Sequence, residues 1–269
     1  MMTFATSLFS FAALLTAGLL NAAILQTEDS KALTEFLKRF DPIAERGFVR
    51  TQRTGSTGIG YTLETLLQIE ENNSPGGDFL GMEIKAYRGD ELEFSDSEKM
   101  NLFLKEPTWL DGRTSAERVH QYGYRDEERN RQAWYQSVTS RPNDSLLKFF
   151  VDHDRMLVEL HREDVAVAQW TFDVLGKRLL EKHSETVFVA AETRGNGSDE
   201  EFHYQTVTYC AKPSVAKLID LIESGDVILE LRMHVKPTGG VRNHGTAFRV
   251  RKNRLVDLYA IQKRCRPLK

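Results

Sequence analysis

From about Thr27 onward the chain switches repeatedly between helical and strand-like apolar spacing. Leu33, Phe36, Leu37 and Phe40 recur three and four residues apart, which predicts an amphipathic helix ended by Asp41-Pro42. A second, short helix is expected from near Thr62, with Leu63, Leu66 and Leu67 inward. Pro75-Gly76-Gly77 reads as a turn and Asp78 to Tyr87 as extended chain. Asp111 to Asn143 is polar and reads as a helix plus a long loop. Leu146–Val151, Met156–His161 and Val165–Trp170 then form a predicted meander of short strands. A helix is expected around Phe172, Leu175 and Leu179, a buried strand at Val187–Ala191, a loop at Gly195–Asp199 and a strand at Phe202–Cys210. Pro213 at the start, Val215, Leu218, Ile219 and Ile222 on one face, and Gly225 past the end delimit another helix. Leu229, Leu231, Met233 and Val235 alternate with Glu230, Arg232, His234 and Lys236, a strand with one apolar and one charged face. The Gly-rich connection Thr238 to Gly245 leads to its partner, Thr246 to Arg251.

Phe4 to Leu25 stands apart from this pattern. It is nearly all apolar, and no basic residue precedes Lys31. A signal or membrane anchor, a buried helix, and a leader outside the functional domain, such as a misassigned start would add, are the three readings; we take the third. The expected organisation is residues 1–26 as leader, 27–145 as a catalytic lobe and 146–269 as a recognition lobe. Composition is that of an ordinary globular chain. The two cysteines, Cys210 and Cys265, cannot build a disulfide framework or a four-thiolate zinc site, and read as reduced thiols of a cytoplasmic protein. Export or anchoring is left open by the leader alone.

Net charge is −3, yet Arg232 to Lys269 holds eleven Lys/Arg and one acid, Asp257. Such a segment is either a localised anion-binding surface, with nucleic acid the commonest target, or a solvated, self-repelling tail. Its hairpin would present Arg, His and Lys from a rigid scaffold, and a two-stranded ribbon fits the DNA major groove.

The chemistry-bearing stretch is Asp78-Phe-Leu-Gly-Met-Glu83-Ile-Lys85. Residues two apart on a strand share a face, so Glu83 and Lys85 project together with Met82 and Ile84 behind them, and Asp78 can fold back beside them. Two carboxylates next to a lysine suit phosphodiester hydrolysis: hard oxygens hold Mg²⁺, and the lysine orients a water or offsets developing charge. A surface ion pair is the plain alternative. Gly55 to Gly60 lacks the Lys-Ser/Thr of a phosphate-binding loop, having Tyr61-Thr62 instead. Glu64, one turn into the following helix, either points at the acidic cluster or is an exposed first-turn acid. None of the seven histidines pairs at metal-ligand spacing; His244 lies in the Arg-Asn-His-Gly loop of the basic hairpin.

Thr57-Gly-Ile-Gly60, Thr62-Leu-Glu64, Asp78-Phe, Glu83-Ile-Lys85 and His244-Gly-Thr-Ala-Phe-Arg249 occur in that order. Together they resemble the MvaI/BcnI family of type II restriction endonucleases, relatives of the mismatch-repair nicking enzyme MutH, from about Thr27 to the C-terminus. The resemblance implies an α/β (α+β) fold with a PD-(D/E)xK nuclease core, a mixed sheet flanked by helices, and two lobes around a DNA cleft. It implies catalytic roles for Asp78, Glu83 and Lys85, with Asp78 and Glu83 as the Mg²⁺ ligands and Glu64 as a supporting acid. It places His244 and Arg249 on the DNA-binding side, and Arg232, Arg242 and Asn243 of the same basic hairpin join them as candidate DNA contacts. It further implies a monomer acting on duplex DNA at a short site beginning CC and ending GG, and a cognate methyltransferase for that site. Two positions depart from the family pattern: Arg242-Asn243 replaces His-Asp before the histidine, and Gly77 replaces the proline before the catalytic aspartate. A MutH-like strand-nicking enzyme and a DNA-binding protein without cleavage are the rival expectations, and Arg249 could instead pair Glu230 across the hairpin.

Overall fold

The computed structural model describes residues 30–69, 77–89 and 98–266. The apolar run Phe4–Leu25 and most of the Pro75-Gly76-Gly77 turn lie outside these residues. In chain order the helices are α1 (Lys31–Glu45), α2 (Gly58–Leu66), α3 (Ser115–Tyr122), α4 (Phe172–His183) and α5 (Val215–Glu223). The strands are β1 (Val49–Arg50), β2 (Glu83–Arg88), β3 (Lys99–Leu104), β4 (Thr108–Trp109), β5 (Tyr124–Asp126), β6 (Arg131–Val138), β7 (Leu147–Asp152) and β8 (Leu157–Arg162). They continue with β9 (Val165–Thr171), β10 (Glu185–Arg194), β11 (Glu201–Pro213), β12 (Val227–Val235), β13 (Val241–Asn243), β14 (Ala247–Arg251) and β15 (Tyr259–Arg266). No helix among the described residues is long and apolar enough to cross a membrane.

Three sheets result. The first runs β1-β11-β10-β2, with β15 also on β11, and is mixed: β2 lies parallel to β10 and the other pairs are antiparallel. The second runs β3-β14-β12-β6-β5, with β13 on β12, and the third is the meander β4-β9-β8-β7. Strand β10 is covered on both faces. Val187, Val189 and Ala191 pack with Leu33, Phe36 and Phe40 of α1 and Leu63 of α2, while Phe188 and Ala190 pack into the core shared with the other two sheets. Its unbroken apolar run follows from that two-sided burial.

The parallel β2–β10 pairing needs a crossover, and the crossover here carries β3 to β9 with α3 and α4. The first and second sheets each take strands from both sides of residue 145, so a division there separates strands that pair.

Several expected boundaries move. Helix α1 does not stop at Asp41-Pro42 but continues to Glu45 with Pro42 inside it. Pro42 and Lys38 both face solvent, so the Lys38 carbonyl left without a helical donor can take water, and burying Ile43 beyond it holds the last turn. The loop expected within Asp111–Asn143 contains β5 and β6, with Ala133, Trp134 and Val138 buried. Helix α3 ahead of them has a reciprocal cap, Thr114 with Glu117. Pro213 closes β11 instead of opening a helix, and Ser214 caps α5.

Candidate active site

The segment expected to be extended from Asp78 is bent at its start. Phe79 and Met82 exchange backbone hydrogen bonds of 2.9 and 2.9 Å around Leu80 (φ 51°) and Gly81 (φ 85°). Two successive left-handed residues make a tight two-residue turn, at a conformational cost for the non-glycine Leu80. A side chain at Gly77 would collide with the backbone of Gly81 and Met82, so glycine is required directly before Asp78. The turn returns Asp78 to the start of β2, where its Oδ2 accepts from the Ile84 N–H at 3.4 Å.

Glu83 and Lys85 share one face of β2, in register with Thr186 and Phe188 of β10. Met82 and Ile84 are buried behind them against α1 and α2. Glu83 is 4% exposed; its Oε1 is paired with the Lys85 ammonium, and its Oε2 has no hydrogen-bond partner. Burial, then the neighbouring Glu83 charge, raises the Asp78 pKa above its ordinary value, with Lys85, the Ile84 N–H and Lys182 acting the other way. Two crowded carboxylates, one with an orphaned buried oxygen, are what a hard divalent cation relieves. Asp78 and Glu83 therefore fit Mg²⁺, which takes few protein ligands and keeps waters. Among the described residues no three His, Cys, Asp or Glu side chains converge as a metal site, so Glu64 does not join them as a third ligand. It instead lines, with Lys85, a shallow cavity of about 300 Å³ bordered by Arg53, Ser56, Thr57 and Tyr61.

Sequence inspection missed Lys182. Its Nζ reaches to 3.7 Å from Glu83 Oε2, giving that carboxylate a second cation from α4. The helix was legible; that its last turn faces Glu83 depends on the β2–β10 crossover, which no local pattern encodes.

The basic C-terminal segment is dispersed in space. Arg251 pairs with Asp226 (3.4 Å), Lys252 with Glu98 (2.7 Å), Arg254 with Asp257 (2.7 Å) and Arg266 with Asp41 (2.5 Å). These four basic residues of the segment are therefore answered by acids rather than gathered on one surface. What remains clustered lies on the polar face of the second sheet. Arg232 Nη2 donates to the His244 carbonyl at 3.1 Å, and its buried Nε has no partner. Asn243 Oδ1 accepts from the Gly245 N–H at 2.8 Å. Arg242 and His244 are exposed, Arg242 directly across from His234. Arg249 is held: Nη1 donates to both Glu230 oxygens at 2.8 and 3.0 Å, and Nη2 to the Lys99 carbonyl at 3.2 Å. The pairing across the hairpin, the alternative weighed for this residue, is thus present. Arg249→Ala should lower the melting temperature of the free protein by about 2–4 °C, the loss of roughly 1 kcal/mol after solvent screening. An unchanged thermal melt would mean that the pair adds no stability and only pre-positions Arg249.

The model of the MvaI/BcnI restriction endonuclease family matches residues 37–259, a span that includes both the Asp78–Lys85 cluster and the polar face. The chain belongs to the MvaI/BcnI restriction endonuclease family. No curated protein matches it. Among solved structures, the complex of restriction endonuclease MvaI with cognate DNA substrate is similar at TM-score 0.72 and 27% identity, covering 88% of this chain and 99% of that one. MvaI in the absence of DNA is similar at TM-score 0.57 and 26% identity, covering 89% and 99%. Membership makes the protein a type II site-specific deoxyribonuclease and bears out the expected α+β nuclease fold.

Proposed function

We propose that this endonuclease is Mg²⁺-dependent, that it cuts duplex DNA at a short site beginning CC and ending GG, and that Asp78, Glu83 and Lys85 form its hydrolytic centre. The observation that carries the reading is the buried Glu83 carboxylate, with one oxygen on Lys85 and the other without a hydrogen bond, beside the turn that returns Asp78. Asp78 and Glu83 would hold the ion, which polarises the phosphoryl oxygen and acidifies a coordinated water. Lys85 lies where it can orient that water and offset charge developing on the phosphate. Hydrolysis joins the water oxygen to phosphorus, breaks one ester P–O bond and leaves a proton for the departing oxygen. Glu64, which lines the same cavity as Lys85, is a supporting acid that orders water.

Arg232, Arg242, Asn243, His244 and Arg249 are the DNA-contacting set, Arg249 acting from the grip of Glu230. Binding of double-stranded DNA is supported by the likeness to MvaI in complex with its cognate DNA, TM-score 0.72. The protein acts as a monomer in the cytoplasm, alongside a methyltransferase that protects the same site. Incubating the purified full chain with plasmid DNA and Mg²⁺ and sequencing the ends tests this. Fragments with one shared CC…GG sequence are expected, and EDTA should stop the reaction. Nicks in one strand only would favour the MutH-like alternative, and binding without any cut would leave a DNA-binding protein.

A further inference from the structure

The polar face of the second sheet contains a contact that the basic hairpin motif does not account for. Arg232 and His234 share a face of β12, and Tyr135 of β6 stands across from Arg232 and diagonal to His234. The Tyr135 hydroxyl lies 2.9 Å from His234 Nδ1. The two rings are 19° from parallel with centroids 6.2 Å apart. His244 closes the third side, 5.8 Å from His234 and 6.3 Å from Tyr135. The Arg131 guanidinium sits 5.6 Å from the centre of the Tyr135 ring.

We propose that Tyr135 fixes His234 as an N–H donor that reads a hydrogen-bond acceptor on a DNA base edge, so that Tyr135–His234 is a specificity-determining pair of this endonuclease.

A phenol O–H is a stronger acid than a neutral imidazole N–H, and imidazole nitrogen is the better acceptor of the two. Tyr135 therefore donates and Nδ1 accepts. In a neutral ring whose Nδ1 accepts, Nε2 carries the proton, and the ring presents a donor on its far edge. Partial burial, then Arg131, His244, Arg242 and Lys236, hold the His234 pKa below its ordinary value, so the neutral form is the one present at pH 7. A neutral donor adds little to a phosphate, which the exposed Arg242 and Lys236 on the same rim serve better. What it adds is direction. A single N–H fixed on a strand donates to purine N7 or guanine O6 and finds no acceptor in the amino groups of adenine and cytosine. Tyr135 touches no base in this scheme; it is a positioning residue acting through His234.

The proposal rests on the nuclease reading above, and its test separates the two. Ends sequenced from a cut plasmid define the site. Duplexes of about 20 base pairs carrying that site, its single-pair variants and a scrambled sequence are then the probes. Tyr135→Phe and His234→Ala should each narrow the kcat/KM ratio between the site and one of its variants by about five- to tenfold, the value of one hydrogen bond. Binding to scrambled DNA should hold steady. Nitrogen-15 spectra should show His234 as the single Nε2–H tautomer in the wild type and as a mixture in Tyr135→Phe. Equal losses on cognate and scrambled DNA would make the pair a phosphate contact and overturn the proposal. So would unchanged discrimination, or an unchanged tautomer, in a folded Tyr135→Phe protein. A wild-type protein that never cuts at a fixed site would instead overturn the nuclease reading itself.

Discussion

Asp78→Ala and Lys85→Ala should each slow DNA cleavage by about 10³-fold or more, the several kcal/mol that metal-assisted water activation and charge stabilisation contribute. Duplex binding should change little, because the polar face proposed to contact DNA belongs to the second sheet, while Lys85 lies in β2 of the first and Asp78 in the turn before it. Asp78→Ala removes a carboxylate beside the orphaned Glu83 oxygen, so weaker Mg²⁺ binding accompanies the slower rate. Lys85→Ala leaves a buried carboxylate short of one cation, ordinarily a strongly destabilising change. Lys182 remains 3.7 Å from the other Glu83 oxygen, so the variant is expected to fold. Single-turnover cleavage of the defined duplex, with binding isotherms in Ca²⁺ and circular dichroism as controls, reads all three quantities. An Asp78→Ala protein that cuts at a near-normal rate would remove Asp78 from the hydrolytic centre.

What the sequence showed of this arrangement was its local part. Strand β12 and helix α5 are legible because the buried Leu229, Leu231 and Met233, and the buried Leu218, Ile219 and Ile222, mark one dry face on each. The Glu83-x-Lys85 spacing was legible for the same reason: a strand face is a local property. Strand β6 was not legible because its wet face is part of the polar sheet surface. Arg131, Tyr135 and Ser137 interrupt the apolar signal, and only Ala133, Trp134 and Val138 are buried. Pro42 marks a helix end in most contexts; here its exposed position and the buried Ile43 reverse that outcome. Charge misled most. Arg251, Lys252, Arg254 and Arg266 are neighbours in sequence of Arg232 and Arg242, but in space they answer Asp226, Glu98, Asp257 and Asp41. The turn at Leu80-Gly81 and the approach of Lys182 likewise depend on which strands meet, and that is set by the long crossover between β2 and β10.

A buried histidine gives the second large effect. His183 ends α4 with no solvent exposure. Its Nε2 donates to the Leu102 carbonyl of β3 at 2.9 Å. Its Nδ1 must then accept, and the chain of donors runs from the Tyr259 hydroxyl to Thr186 Oγ1 at 3.0 Å and from Thr186 to Nδ1 at 3.3 Å. Burial, with Lys85 and Lys182 nearby, holds the His183 pKa down to about 4 from an ordinary 6.5. Between those pH values the unfolded chain binds a proton at this residue and the folded chain does not, so stability rises with pH across the window and is lost as pH falls from 6.5 to 4. The full loss is about 3 kcal/mol, or roughly 6–12 °C in melting temperature for a chain of this size. His183→Gln keeps an amide donor for Leu102 and an acceptor for Thr186 but does not titrate. Its melting temperature should therefore fall less steeply than the wild type's over that window, with every carboxylate titration common to both proteins. Parallel curves would show that the ring titrates freely in the fold. Acid takes from Nδ1 the bonds to Thr186 of β10 and Tyr259 of β15, and so loosens a ring that ties the first sheet to Leu102 in β3 of the second.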